Sequence, residues 1–352
     1  MGALGLRELY VTMRERLNWM TFVLVRTCAL LASLVLFSAV ALIFDWPWSV
    51  FAALSFLKTA DSVCDLLYGR LQITESWIAL GGLLSLNSAL SVAVVLTIAG
   101  LGGNLAVLLA GSACVSTLIA GAAYFLGRRV GREHGGKRAV SPPDVVLLVR
   151  KGMPLSGAQL LSSLLFSLPI FVVGALGAPE DVGVFAGAAY ILTFGNLIGS
   201  AVSTLIVVNL KTALCLRGVS GLRAAMRPPA TALLLVGLAC VIAALIAGPQ
   251  MLLVLYGQGF GIDRGALLFI SVAAVIAAIG FVGTAGLLVR NHYAKQVIVS
   301  AIALAAASCA ALAFMLLDFD NAILAASIVA AVGAVVRTAL VMKYALGVQR
   351  GY

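Results

Sequence analysis

The residues best placed to do chemistry in this chain lie in one run, Lys58-Thr-Ala-Asp61-Ser-Val-Cys-Asp65-Leu-Leu-Tyr-Gly-Arg70-Leu-Gln72. On a helix turning about 100° per residue, Lys58, Asp61 and Asp65 share one face. The flanking sequence is apolar enough to place that face inside a membrane, where an isolated charge is costly and must meet protein or water. A carboxylate there can carry a proton or a cation, and a lysine can attract an anionic headgroup. The same residues allow a plainer reading, in which Lys58 and Asp61 neutralise each other and only lock helix packing. An ionisable residue at such depth is a site hypothesis by default, so the face is read as the wall of a polar cavity.

Other polar side chains extend this candidate pathway. Arg26 lies about 10 Å from the start of its predicted helix, at about 1.5 Å per residue, so it either joins the pathway or snorkels to the surface. Gln159 and Asn196 are assigned to the substrate or ion pathway with Arg26, Lys58, Asp61 and Asp65. Asn87, Asn104 and Asn209 are further candidates for a cavity lining or, more simply, for hydrogen bonds between helices. Arg337, in the last predicted helix, is read as snorkelling.

Catalytic patterns are poor. Asp318-Phe-Asp320 matches the bare DxD of metal-dependent glycosyltransferases, but it fills a minimal turn rich in Asp and Asn. Gly100-Leu-Gly-Gly103-Asn104 is also a turn, neither following a strand nor forming a phosphate loop. Cys28, Cys64, Cys114, Cys215, Cys240 and Cys309 are scattered singly and read as small packing residues. His134 and His292 are too few and too far apart for a metal site. The expectation is a protein that is not an enzyme and needs neither metal nor cofactor.

The elements that must position these residues are membrane spans. The chain is 62% hydrophobic and only 10% charged, with a mean hydropathy of +1.13. Soluble domains are about 45–50% apolar and about 25% charged, so lipid must solvate most of this surface. Stretches near the roughly 20 apolar residues of a spanning helix occur at 19–44, 48–70, 76–98, 103–127, 152–177, 181–208, 229–248, 264–289, 295–317 and 321–346. The second is the weakest, polar from Lys58 onward, but without it the neighbouring loops fall on the wrong sides. The first is too long for a signal-peptide core and is read as a retained helix.

Charge sets the orientation. With both termini cytoplasmic, all but four of the 23 Lys and Arg residues fall in alternate segments on the inner side; Arg26, Lys58 and Arg337 lie within spans and only Arg264 lies outside. The net charge of +10 is therefore a topological signal, and without aromatic interleaving it implies no nucleic-acid partner. The basic segment 128–151, with GREHGGKR and SPPD, reads as a cytoplasmic linker dividing four spans (1–127) from six (152–352), and DVVLLVRK at 144–151 could begin a short interfacial helix. Gly183, Gly187, Gly195 and Gly199 form one small-residue ridge for close helix approach. Pro169 is predicted to kink its helix.

Three stretches together resemble a known family. Gly152 to Leu210 (GMPLSGAQLLSSLLFSLPIFVVGALGAPEDVGVFAGAAYILTFGNLIGSAVSTLIVVNL) resembles the first two C-lobe helices of Wzx-type polysaccharide (O-antigen) flippases; LLYGRLQITESW (Leu66 to Trp77) resembles their fourth-helix exit and LLVLYGQGF (Leu252 to Phe260) an outside loop. LLYGRLQ (66–72) and GLLVRNHYAKQ (286–296) form a faint internal repeat, as transporter halves often do. The resemblance implies an all-α, two-lobed transmembrane bundle of the MATE-like MOP exporter superfamily in a bacterial inner membrane. It implies an undecaprenyl-pyrophosphate-linked oligosaccharide substrate, flipped from the cytoplasmic to the outer leaflet by alternating access, with ion coupling. Arg26, Lys58, Asp61 and Asp65 are the N-lobe residues it assigns to substrate or ion. Membrane lipid, polysaccharide-assembly proteins or a dimer partner are the implied company. The family has twelve core helices or more, so the N-lobe reads as lacking two. A MATE-like small-molecule or cation antiporter, a membrane-embedded polymerase or transferase, and a truncated non-transporting remnant stand as alternatives.

Overall fold

In the computed structural model, residues 6–12, 17–73, 76–130, 141–257, 262–317 and 319–347 are described. They form α1 (Leu6–Thr12), α2 (Trp19–Ile43), α3 (Trp48–Ile73), α4 (Trp77–Gly100), α5 (Leu105–Val130), α6 (Pro142–Leu176), α7 (Pro179–Tyr256), α8 (Arg264–Val289), α9 (Tyr293–Leu316) and α10 (Ala322–Leu346). Among the described residues there is no strand. Eight helices, all but α1 and α3, are long and apolar enough to cross a membrane. The chain is an all-α, multi-pass membrane protein.

The helix inventory departs from the expected ten spans for two physical reasons. α3 has the length, 26 residues, but Lys58, Asp61, Asp65 and Arg70 lower its apolarity. α7 runs for 78 residues and holds two of the expected spans. At about 1.5 Å per residue it is several times longer than the roughly 30 Å hydrocarbon core. It breaks at Gly218, where φ 60° and ψ −151° define a conformation that only glycine adopts without strain. The basic segment between those spans, expected as a loop, is helical on both sides of Gly218.

The expected linker is also shorter than its composition implied. Residues 128–130 end α5 and residues 142–151 begin α6, while 131–140, with His134, lie outside the described residues. Pro142 and Pro143 open α6 where a missing N–H costs nothing, and Asp144 complements the helix dipole in the first turn. The interfacial segment 144–151 is thus the start of a 35-residue helix. Pro169 lies inside that same helix.

The described helices form two compact units, residues 1–156 and 157–352. In the first, α3, α4 and α5 enclose a core that includes Cys64, Leu67, Leu71, Leu80, Leu83, Val115, Ile119 and Ala123. In the second, α8 and α10 are the inner helices. Their contact is built from small residues: a Cβ on Gly280 would sit 2.5 Å from Thr338 Oγ1, and one on Gly283 would sit 2.6 Å from Val341 Cγ1. Close backbone approach of this kind gives dispersion contacts where no hydrophobic drive exists. The α7 ridge is used in part, since Cβ atoms on Gly195 and Gly199 would meet the α8 backbone at 2.7 Å, whereas Gly183 has nothing within 4 Å. The cysteines divide likewise. Cys64 is packed inside, but Cys28, Cys114, Cys215, Cys240 and Cys309 are exposed, so they are outward apolar positions and not the packing residues expected.

Candidate polar site on α3

In the first unit the structure draws Arg26, Asp61, Asp65 and Lys58 into two adjoining polar groups. On α2, Thr21, Phe22, Val25 and Arg26 form a buried face near the start of the helix. That face turns Arg26 inward, and only 3% of the residue is exposed. Arg26 Nη2 donates to the Ser62 carbonyl at 2.9 Å and to Asp65 Oδ2 at 3.2 Å. Arg26 is thus turned toward acceptors on α3 and does not extend as a snorkelling side chain would.

Asp65 also takes a second cation that the sequence reading did not place there. Arg7 Nη1 approaches Asp65 Oδ1 at 3.4 Å, and Arg7 Nε donates to Gln72 Oε1 at 3.3 Å. Arg7 comes from α1, a short helix whose Leu6 and Leu9 are fully buried. Gly69 admits it, because a Cβ there would stand 3.2 Å from Arg7 Cγ. Tyr10 packs edge-on against Trp19 and Phe22 with ring centroids 5.2 and 4.9 Å away, and Arg70 lies 5.6 Å from the Trp19 ring. Burial raises the Tyr10 phenol above its ordinary pKa, with Arg70 partly countering. The Leu6/Leu9 spacing was the signal for α1, but seven residues are too few to stand out as a helix.

The second group is looser. Lys58 Nζ lies 3.7 Å from Asp61 Oδ2, with side chains 51% and 42% exposed. Ser116 Oγ of α5 donates to the other carboxylate oxygen at 3.0 Å. Ser116 is held in turn by Cys64, whose thiol donates to its carbonyl at 3.1 Å. Asp61 thus has one fixed neutral partner and one long, exposed ionic partner. A pair with this geometry contributes about 1 kcal/mol or less, so exchange of Lys58 for another partner is inexpensive.

Gln159 on α6 and Asn196 on α7 belong to the second unit. Gln159 is half-buried. The Oδ1 atoms of Asn196, and of Asn87 in the first unit, are buried without a hydrogen-bond partner among the described residues, so neither makes the inter-helix bond expected of it. Asn104 has a local task instead, accepting from the Val107 N–H at 3.0 Å at the start of α5. Asn209 is exposed on α7. Asp318 lies outside the described residues, and among them no cluster of three or more His, Cys, Asp or Glu has metal-ligand proximity.

Arg337 corrects the sequence reading most sharply. It does not snorkel: it is 7% exposed, with its guanidinium 5.3 Å from the Phe281 ring and 6.0 Å from the Phe166 ring. Its Nε and Nη1 have no hydrogen-bond partner among the described residues. Such ring contacts contribute about 1–2 kcal/mol and offer no acceptor, whereas drawing a charge from water costs several kcal/mol. Thr338, the next residue, donates its hydroxyl to the Ile276 carbonyl at 2.9 Å, tying this part of α10 to α8.

No protein-family model and no curated protein matches the chain by sequence. Solved structures do match its fold. A Vibrio cholerae MATE transporter in its bent form superposes with a TM-score of 0.75 at 12% identity, covering 98% of this chain and 83% of that one. A MOP superfamily transporter from Pyrococcus furiosus, described as having a binding pocket of reverse polarity, gives 0.71 at 16% identity over 98% and 83%. An outward-facing multidrug resistance MATE transporter gives 0.69 at 16% identity over 98% and 82%. The fold is that of the MATE transporters of the MOP superfamily.

Proposed function

We propose that this chain is a transporter that flips an anionic, lipid-linked substrate, an undecaprenyl-pyrophosphate-linked oligosaccharide, from the cytoplasmic to the outer leaflet of a bacterial inner membrane. The fold likeness supports transport. The observation that supports an anionic cargo is the charge arrangement on α3. Asp65 is already met by Arg7 and Arg26, and Asp61 is hydrogen-bonded by Ser116. Lys58 is half exposed and weakly paired. The exchangeable charge on this face is therefore positive, and it suits a pyrophosphate better than a cation.

The rival reading is a MATE-like antiporter of small molecules or cations, favoured by the multidrug MATE transporter among the matching folds. Reconstitution into proteoliposomes separates the two. Flipping of a fluorescent polyprenyl-pyrophosphate sugar is expected for the native chain and for Lys58→Arg. Lys58→Met and the double variant Lys58→Met/Asp61→Leu should insert and fold but not flip. Full flipping by the double variant would reduce the pair to a packing element. Transport of a small cation with no flipping of the pyrophosphate lipid would establish the antiporter reading.

A further inference from the structure

We propose that α1 is a displaceable strap, latched by Arg7 on Asp65, that closes one end of the polar face of α3. Lys58, Asp61, Asp65, Gly69 and Gln72 recur every three or four residues and so form one stripe along α3. α1 lies across the last part of that stripe. Arg7 Nη1 reaches Asp65 Oδ1 at 3.4 Å, Arg7 Nε donates to Gln72 Oε1 at 3.3 Å, and the absent side chain of Gly69 makes room for the Arg7 stem. Burial follows the cover. Gln72 is 4% exposed, whereas the side chains of Lys58 and Asp61, toward the other end of the stripe, are 51% and 42% exposed. With α1 in place the open part of the stripe runs from Lys58 to Asp65, about 10 Å at about 1.5 Å per residue. Without it the stripe continues to Gln72, about 21 Å in all.

The strap is held lightly. Seven residues are too few to stand as a helix alone, so α1 is helical only while docked. Leu6, Leu9 and Val11 are buried, Tyr10 packs edge-on against Trp19 and Phe22 at the start of α2, and Arg7 adds two bonds near the long limit of hydrogen bonding. These attachments must offset the ordering of seven residues, which is a slender balance. The core of α3, α4 and α5, by contrast, is built around Cys64, Leu67, Leu71, Val115 and Ile119, with no residue of α1 among the described residues that form it. Departure of Arg7 leaves Asp65 Oδ2 with Arg26 at 3.2 Å, and Arg26 keeps the Ser62 carbonyl, so the Arg26 tie between α2 and α3 outlasts the strap. Opening of such a segment over an intact core is the usual behaviour of the least stable parts of a fold. The gate bears on transport only if α3 carries the cargo path; its test reads α1 alone, so the two can fail separately.

Thiol labelling of the full chain in a maltoside detergent tests this. The exposed Cys28, Cys114, Cys215, Cys240 and Cys309 are replaced by serine, and Gln72→Cys places a reporter under α1. Cys64 stays as the internal control, since it is buried on the same helix but turned to α5, where it meets the Ser116 carbonyl. N-ethylmaleimide should label the reporter slowly while Cys64 remains unlabelled. Arg7→Gln should speed the reporter by about fivefold, as a weak ion pair allows, and Leu9→Ser by roughly tenfold or more, as loss of a buried leucine requires; neither should expose Cys64. Hydrogen exchange of the unsubstituted chain gives a second reading that needs no variant to fold: the α1 amides should exchange well before those of α3 and α5. Labelling of the reporter and Cys64 at one rate, a reporter rate indifferent to both variants, or α1 amides that exchange only together with α3 and α5 would overturn the proposal.

Discussion

Removing Asp65 should destabilise the first unit chiefly through Arg26, and the structure sets the size of the effect. Arg26 Nη2 and Asp65 Oδ2 are 3.2 Å apart, with side-chain exposures of 4% and 36%. Coulomb's law at that distance gives about 5 kcal/mol at an effective dielectric of 20 and about 1.3 kcal/mol in water. A carboxylate open to solvent by a third lies toward the lower limit, so the coupling should be about 2 kcal/mol. The Arg7–Asp65 contact is longer, 3.4 Å, and its arginine is more exposed, 17%; its coupling should be no more than about 1 kcal/mol. Asp65→Leu alone should cost about 3 kcal/mol, more than the pair is worth, because it leaves the buried Arg26 guanidinium without its carboxylate partner. Two double-mutant cycles, Arg26→Met with Asp65→Leu and Arg7→Met with Asp65→Leu, measured by unfolding in mixed micelles, read these terms directly. A coupling below about 0.5 kcal/mol for Arg26, the scatter expected of independent sites, would refute the reasoning. So would a larger coupling for Arg7 than for Arg26.

Three other outcomes follow from the packing and the caps. Gly280→Val should cost about 1–3 kcal/mol by overpacking against Thr338, while Gly183→Val, with open space around it, should cost little in the same thermal assay. Arg290 Nη1 donates to the carbonyls of Tyr344, Ala345 and Gly347 at 3.1, 2.8 and 3.0 Å; Arg290→Gln should therefore cost about 2 kcal/mol and fray α10 in hydrogen exchange. His292, between α8 and α9, has its pKa lowered by burial and then by Lys295 and Arg290. The unfolded chain then binds the extra proton first, so the contribution of His292 is complete above its ordinary 6.5 and is lost as pH falls through that value and on through the depressed one. The melting midpoint should drop over that window in the native chain and flatten in His292→Gln.

What the sequence made legible was periodic and apolar. The spans, the helical face of Lys58, Asp61 and Asp65, and the small-residue approach at Gly195 and Gly199 all follow from composition and a 3.6-residue repeat. What it hid was pairing. Arg7 is separated from Asp65 by 58 residues, and nothing local distinguishes it from the basic residues that set topology. Ser116 is one of two serines in α5, and its value depends on facing Asp61. Arg337 was misread because depth along a helix does not say which way the side chain turns; Gly280 and Gly283, which bring α8 against α10 beside Arg337, settle that direction. The extent of α6 and α7 was misread because basic residues and prolines mark the ends of an apolar run, not the end of hydrogen bonding.

The two carboxylates of α3 are therefore unequal in what they can do. Asp65 holds three elements together, since Arg7 comes from α1, Arg26 from α2 and the acid from α3. Protonating it, or giving it a new partner, loosens both arginine contacts at once. Asp61 has no such burden. Its Ser116 bond survives loss of the negative charge, because an oxygen remains to accept from the hydroxyl. What protonation of Asp61 would release is Lys58, at 3.7 Å and half exposed. A proton arriving at Asp61 and an anion arriving at Lys58 then favour each other, each removing the partner the other must displace, which is the reciprocity that any coupling between ion and cargo requires. Of the α3 ion pairs among the described residues, Lys58–Asp61 is the one whose exchange would leave the Asp65 contacts to Arg7 and Arg26 in place.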